Sequence, residues 1–457
     1  MGRKYDFKYI VIGSGPAGST VALNLAKHKK RVAIVEAHFF GGSNLNTYDV
    51  PFGVGLDFSH HYSKTLTYPE LKNQDLSFNF PTISARELST ILEAGGNDRR
   101  PFEDAGVICL SGYANFLDKH TIAVNHQKFT AEYFILATGS ELKVQDIAGT
   151  ETVNYLTPEA AIKLRRRPKV VAVVGAGSTG CEIAEYYAEL GVNTILFEMA
   201  DRILPREDKD VSTTMNNYFI RKLGMTVLPT CKVTAIEEDN FSKRLVFRFN
   251  NSEKMVRVDT IVLATGSKPF TNYGLENAGV KYKDTGISSN KLFQTSAKHI
   301  YAIGDCLGGE SSTDRAELDA TTLSSNLINN SKSIPNYKGL IRLTHTNPAI
   351  ATVGRTEEEL THSKQKFKKA VIQLSEITAS KIHNQNYGFI KLLANKSGNI
   401  IGACIVAPEA GLLAQEIALA IRHNLTVLEL ASTPHLANTY NEAIRRATKK
   451  LLTKKRK

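Results

Sequence analysis

Two glycine-rich strings constrain this chain more than any other feature. The first, Gly13-Ser14-Gly15-Pro16-Ala17-Gly18, follows directly on an apolar run from Lys8 to Ile12. Val21, Leu25 and Ala26 then recur at helical spacing, and a second apolar run, Val32 to Val35, closes on Glu36. Each part has a physical reason. Glycine permits the tight turn, a backbone bare at Gly15 lets a pyrophosphate approach the helix N-terminus, and an acid at the end of the second strand accepts from ribose hydroxyls. A lone glycine string is weak evidence, but strand, glycines, helix, strand and acid in this order predict a dinucleotide-binding unit.

The unit recurs. Lys169 to Val174 leads into Gly175-Ala176-Gly177-Ser178-Thr179-Gly180, a helix is predicted through Leu190, and a strand from Thr194 to Phe197 ends at Glu198. Two dinucleotides are therefore implied. Glu198 repels a 2′-phosphate and favours NAD(H), with NADP(H) the alternative because Arg202 lies close by. The run Arg165-Arg166-Arg167 ahead of this unit reads as a solvated linker.

These strings, together with Ile135-Leu136-Ala137-Thr138-Gly139, Val262-Leu263-Ala264-Thr265-Gly266 and Tyr301-Ala302-Ile303-Gly304-Asp305, resemble the pyridine nucleotide-disulphide oxidoreductase family. The stretch from Thr346-Asn347-Pro348 to Val353-Gly354-Arg355-Thr356-Glu357 resembles the opening of that family's C-terminal dimerisation domain. The resemblance implies an α/β protein with two doubly wound Rossmann-like nucleotide-binding domains, for FAD and NAD, followed by an α+β dimerisation domain. Residues 1–150 and 271–336 would hold FAD, 151–270 NAD(P), and 337–457 the interface between two copies of the chain. The first loop would then bind FAD with help from Gly42, Ser43, Ala137, Thr138 and Gly139. Asp305 would hydrogen-bond the ribitol, and Gly304 and Gly266 would also be cofactor-binding.

At the expected redox centre the sequence departs from the family. Where the family carries Gly-Gly-Thr-Cys-Leu-Asn-Val-Gly-Cys-Ile-Pro-Ser-Lys, this chain reads Gly41-Gly42-Ser43-Asn44-Leu45-Asn46-Thr47-Tyr48-Asp49-Val50-Pro51-Phe52-Gly53. The frame aligns without a gap, so Asn44 and Asp49 stand at the cysteine positions and Gly53 at the lysine position. Glu182, the expected partner of that lysine, remains. The family's His-Pro-Thr-x-Ser-Glu aligns with Ala437-Asn438-Thr439-Tyr440-Asn441-Glu442, keeping the acid and losing the histidine. His435 lies two residues earlier and reads either as an interface histidine or as a group that swings in as acid or base. Disulfide chemistry needs a thiolate and a base to tune it. A bound flavin without them passes electrons directly to whatever reaches it, so the expected function is an FAD-dependent NAD(P)H oxidoreductase acting on a quinone-type or other small acceptor. The rival is a sensor or scaffold that binds both nucleotides without turnover. Asp49 is expected beside the flavin, where burial and repulsion raise its pKa on reduction, or else as a cap of the following helix.

Composition sets outer limits. A chain of 457 residues is long enough for about three domains. Its five cysteines, Cys109, Cys181, Cys231, Cys306 and Cys404, are too scattered for a disulfide framework or a metal site and read as reduced. No apolar run is long enough to span a membrane, and the polar start from Met1 to Phe7 does not read as a signal peptide, so a cytoplasmic protein is expected. The net charge is +12, of which the residues from Arg445 to Lys457 carry +8 without one acid. The body is therefore not expected to bind nucleic acid. Any contact with a polyanion or membrane surface falls to the tail, which reads as a solvated or frayed helix end.

Overall fold

The computed structural model describes residues 4–68, 70, 77–164, 166–239 and 242–453; Arg165 and the last four residues of the basic tail, Lys454 to Lys457, lie outside the described residues. The chain divides into two compact units.

The first unit comprises Met1–Gly55, Asn79–Lys143 and Gly266–Asn336. Its sheet is built on the apolar run that precedes the first glycine string. Strand Phe7–Ile12 lies between Val32–Glu36 and Gln127–Leu136, parallel to both, with Val11 opposite Ile34 on one side and Ile135 on the other. Ile108–Ser111 extends one edge in parallel, and Ile300–Ala302 returns late in the chain to pair in parallel with Gln127–Leu136. Such strands are covered on both faces, which is why they read as continuous apolar runs. Val11, Ile34 and Ile135 pack with Val21, Leu25 and Leu323 on one face, and Ile10, Ala33 and Phe134 pack with Phe116 and Ile122 on the other. The glycine loop and the Pro16–Lys27 helix thus sit at the carboxyl ends of the strands, where open parallel sheets bind ligands.

The second unit comprises Leu56–Phe78, Val144–Thr265 and Tyr337–Lys457. Four parallel strands run in the order Thr226–Leu228, Asn193–Phe197, Val170–Val174 and Thr260–Leu263, with the Ser178–Glu189 helix leaving the second glycine loop. A three-stranded antiparallel sheet, Lys232–Glu238, Lys243–Phe249 and Ser252–Val258, adjoins them in sequence. The C-terminal part is a five-stranded sheet in the order Ile341–Thr344, Ala349–Gly354, Ile400–Ala407, Phe389–Asn395 and Phe367–Gln373, all neighbours antiparallel.

The tail corrects one expectation. Residues 445–453 are not a frayed end: they belong to the helix Asn441–Thr453, whose Ile444, Ala447 and Leu451 are buried in the same core as Ile390 and Leu392. Arg446 donates to Glu442 and to the Glu376 carbonyl, and Lys450 Nζ donates to the Val371 carbonyl. Among the described residues no helix is long and apolar enough to cross a membrane.

Candidate functional site

The first glycine loop is shaped by two kinds of contact. A Cβ at Gly13 would lie 2.2 Å from the Ala137 carbonyl oxygen, and one at Gly18 would lie 1.9 Å from that of Gly13, so these two glycines let strand and helix close together. Gly15 is different, because a Cβ there would meet nothing within 4 Å. Gly15 is also the N-cap of Pro16–Lys27, and no side chain caps that helix. The first turn therefore presents uncapped N–H groups across an open backbone, which fits a dinucleotide pyrophosphate. Glu36 is tied to the loop: its Oε2 accepts from Ser14 N at 3.0 Å and Ser14 Oγ at 2.6 Å, and its Oε1 accepts from His38 N. Ser14 Oγ in turn accepts from Gly41 N at 3.1 Å, joining loop, acid and the 41–53 segment. Sequence reasoning passed over this serine, although a small hydroxyl residue between two of the fingerprint glycines was its only signal.

The 41–53 segment packs on the loop. Gly41 and Gly42 have φ of +92° and +71°, and a Cβ on Gly42 would lie 2.5 Å from Gly15 Cα. Asn44, in the short helix Gly42–Asn46, and Asp49, first residue of the Asp49–Thr67 helix, come together. Asn44 Nδ2 donates to Asp49 Oδ2 and, at 2.8 Å, to Thr313 Oγ1, which donates to Asp49 Oδ2 at 3.2 Å. Asp49 is exposed. Its charge reaches Asp305, whose pKa is raised mainly by burial, and also by Asp319 and Asp49, against a hydrogen bond from Ser311 and the charge of Arg315. Gly304 N donates to the buried Asp319 at 3.1 Å, and Thr138 Oγ1 donates to the Phe270 carbonyl at 3.0 Å. Gly139 and Gly53 both open on empty space, Gly53 from inside a helix and Gly139 at φ +66°. Tyr48 and Phe52, the latter next to Gly53 in sequence, stack with ring centroids 4.6 Å apart. Asn44, Asp49, Asp305 and Thr313 are thus neighbours in the first unit.

In the second unit the glycine loop repeats the pattern. Cβ atoms at Gly175 and Gly180 would collide with the Ala264 and Gly175 carbonyls at 2.4 and 1.8 Å, whereas one at Gly177 would meet nothing. Gly266, which follows the strand Thr260–Leu263 in sequence and belongs to the first unit, is likewise open at φ +94°. The Ser178–Glu189 helix has no side-chain cap, so this loop also fits a pyrophosphate. Glu198 Oε2 accepts from Ala176 N and its Oε1 from Ala200 N, both at 2.7 Å. Arg202 is engaged elsewhere, its Nη2 donating to Glu358 Oε2 at 2.6 Å and to the Pro205 and Glu207 carbonyls.

The remaining candidates are held by their own unit. Glu182 Oε1 accepts from His345 N at 2.6 Å. Glu442 Oε1 accepts from Arg446 Nε and Nη2 at 3.0 and 2.7 Å. The His435 side chain is 2% exposed, with Nε2 2.9 Å from Glu416 Oε1 and Nδ1 2.8 Å from the Thr433 carbonyl. Both ring nitrogens are engaged within the C-terminal part of the chain. All five cysteines are free. Burial raises every one of these thiols, Cys231 to about 11 and Cys306 to about 12.

Two glycine loops at the heads of parallel-sheet helices, with an antiparallel C-terminal domain, define a two-dinucleotide-binding fold. The chain belongs to the pyridine nucleotide-disulphide oxidoreductase family, which it matches over residues 7–322, with the family's dimerisation domain matching over 341–448. It is 28% identical over 449 residues to the mercuric reductase of Staphylococcus aureus, covering 94% of this chain and 80% of that protein. It is also 28% identical over 467 residues to the dihydrolipoyl dehydrogenase of Corynebacterium glutamicum, covering 98% of each. In fold it is similar to the HOCl-induced flavoprotein disulfide reductase RclA of Escherichia coli, at a TM-score of 0.87 and 21% identity over 97% of this chain and 99% of that one. LpdA of Mycobacterium tuberculosis is as similar, at 0.87 and 23% with the same coverage. The family consists of FAD-dependent oxidoreductases whose members bind FAD and NAD(P)H.

Proposed function

We propose that this protein is a homodimeric, FAD-dependent NAD(P)H oxidoreductase that reduces a small two-electron acceptor of the quinone type directly, without a dithiol relay. FAD would lie against Gly13, Gly15, Pro16, Ala17, Gly18, Glu36, Gly42, Ser43, Ala137, Thr138, Gly139, Gly304 and Asp305. NADH would lie against Gly175, Gly177, Gly180 and Glu198. When bound, FAD supplies the two-electron exchange between nicotinamide and acceptor. The functional division follows 1–150 and 271–336 for FAD, 151–270 for the nicotinamide and 337–457 for the interface, in a cytoplasmic enzyme.

The observation that carries this reading is the thiol inventory. Residues 41–53 contain no cysteine, and burial raises all five thiols of the chain, which disfavours the thiolate that disulfide or mercuric-ion reduction needs. Asn44 and Asp49 stand at the cysteine positions and form a hydrogen-bonded group with Thr313. Gly53 leaves open space where the family carries a lysine, which supports the approach of a planar acceptor. NADH is preferred because Glu198 faces the loop while Glu358 and two carbonyls hold Arg202.

Anaerobic titration of the FAD-loaded protein with NADH, followed by a panel of quinones, lipoamide, glutathione disulfide and mercuric ion, tests the reading. Flavin reduction followed by reoxidation with quinones alone is expected. Rapid turnover with a disulfide would refute it. A second reading, a sensor without turnover, draws on the engagement of Glu182, Glu442 and His435 with their own unit, and predicts no turnover with any acceptor.

A further inference from the structure

The Ser178–Glu189 helix begins at the second glycine loop and carries three buried acids, Glu182, Glu185 and Glu189, at spacings that share one side. The family resemblance accounts only for Glu182. Glu185 and Glu189 converge on an imidazole from the later turns of the Asp49–Thr67 helix, with His60 Nε2 lying 3.7 Å from each Oε2. Both carboxylate side chains are 0% exposed and the imidazole is 22% exposed. Their other bonds go to Asn347, whose N donates to Glu185 Oε2 at 2.9 Å and whose Nδ2 donates to Glu189 Oε1 at 3.4 Å, and to Ser59, whose Oγ donates to Glu189 Oε2 at 2.7 Å. His60 Nε2 and Glu185 Oε1 are buried without a hydrogen-bond partner among the described residues.

Among the described residues the titratable groups around the cluster are Glu182 and Cys181 on the same helix, Asp57 and His61 on the helix of His60, and Tyr218 with Tyr387 against it. None of these is a lysine or arginine. Two buried carboxylates without a permanent cation cannot both stay ionised at small cost, so the cluster must hold protons. Burial, reinforced by Glu185, raises Glu189 to about 8, burial raises Glu185 as well, and burial lowers His60.

We propose that Glu185, Glu189 and His60 form a proton-binding site that fills further when a nicotinamide dinucleotide seats on the glycine loop at the head of their helix. The proposal rests on the nicotinamide reading of that loop. A helical rise of about 1.5 Å per residue puts Glu185 and Glu189 about 12 and 18 Å from Gly177. Over that distance, through packed protein, the negative pyrophosphate is felt with far less screening than across solvent, and it makes each proton in the cluster harder to lose. Reciprocity requires the converse: a protonated cluster binds the nucleotide more tightly than an ionised one.

Calorimetric titration of the FAD-loaded protein with NAD+, which cannot reduce the flavin, in buffers of different ionisation enthalpy tests this at pH 8. The expected result is uptake of a few tenths of a proton per NAD+ bound, with affinity falling about two- to threefold between pH 7 and pH 9. In Glu189→Gln the uptake and the pH dependence should both shrink while NAD+ still binds. Should that variant fold poorly, the pH and buffer series on the unaltered protein decides alone. Binding without buffer dependence, or uptake unchanged in a folded Glu189→Gln, overturns this inference and leaves the nucleotide reading standing. No NAD+ binding at all overturns both.

Discussion

Gly15 and Gly18 stand three residues apart in one loop and answer to different demands. A methyl at Gly18 would run into the Gly13 carbonyl at 1.9 Å, so Gly18→Ala strains the apoprotein itself. A methyl at Gly15 meets only open space. Gly15→Ala should therefore fold with its melting behaviour nearly unchanged and yet retain little or no flavin, because the intrusion falls on the ligand. Flavin absorbance after purification, set beside a thermal melt of the stripped protein, checks both halves; a Gly15→Ala protein that keeps its FAD would show that the pyrophosphate lies elsewhere. Asp49 makes a second prediction at this scale. Its carboxylate is exposed, receives Asn44 and Thr313, and acts on Asp305. If the flavin lies beside Asp305, replacing Asp49 with asparagine removes a negative charge that opposes electron uptake. The midpoint potential should then rise by roughly 20 mV, corresponding to about 1 kcal/mol for a two-electron couple. Spectroelectrochemistry that finds no change would make Asp49 a helix-end residue only.

At the scale of elements, the Ser178–Glu189 helix shows what was and was not legible in the sequence. Its glycine start, its preceding strand and the acid beyond it are local in sequence, so spacing alone identified them. The meeting of Glu185 and Glu189 with His60 is not local, since more than a hundred residues separate the partners, and nothing around His60 distinguishes it from a surface histidine. The helix Asn441–Thr453 was misread for another reason: its basic residues dominate the composition and mask Ile444, Ala447 and Leu451, which line one buried face. The acid helix gives a stability prediction with a definite sign. Glu189 is raised to about 8 when folded, chiefly by burial. Its proton is therefore held more tightly by the folded than the unfolded chain. That contribution is fully present below the unfolded value near 4.5, declines as pH rises toward 8, and is gone above it. Glu189→Gln keeps the shape without the titration. Its melting temperature should exceed that of the parent at pH 8 and above, by an amount reflecting a few kcal/mol at most, and the two should converge below pH 5. Parallel curves across that range would show that Glu189 is not the group that titrates.

For the whole molecule, the remaining question is what covers the apolar surface of the C-terminal domain. Leu412 and Leu419, on the helix Ala410–Arg422, are 72% and 58% exposed, and Leu428 and Leu436 are 65% and 77% exposed. All four fall within the residues that match the dimerisation domain. Scattered leucines on a monomer need no explanation, but four within one interaction domain fit a surface that a second copy removes from water. Leu436 lies next to His435, which Glu416 fixes, and six residues before Glu442. A charge at this point would be buried unpaired in a dimer yet remain solvated in a monomer, so Leu436→Glu should shift the protein to monomers at micromolar concentration by light scattering. Flavin retention should be unaffected, since the first glycine loop lies in the other unit. Removal of residues 454–457 alone should leave the dimer intact. Deletion from Arg445 onward should not, because it takes Ala447 and Leu451 out of the core that carries the five-stranded sheet. A Leu436→Glu protein that remains a dimer would place the interface on another face of the domain.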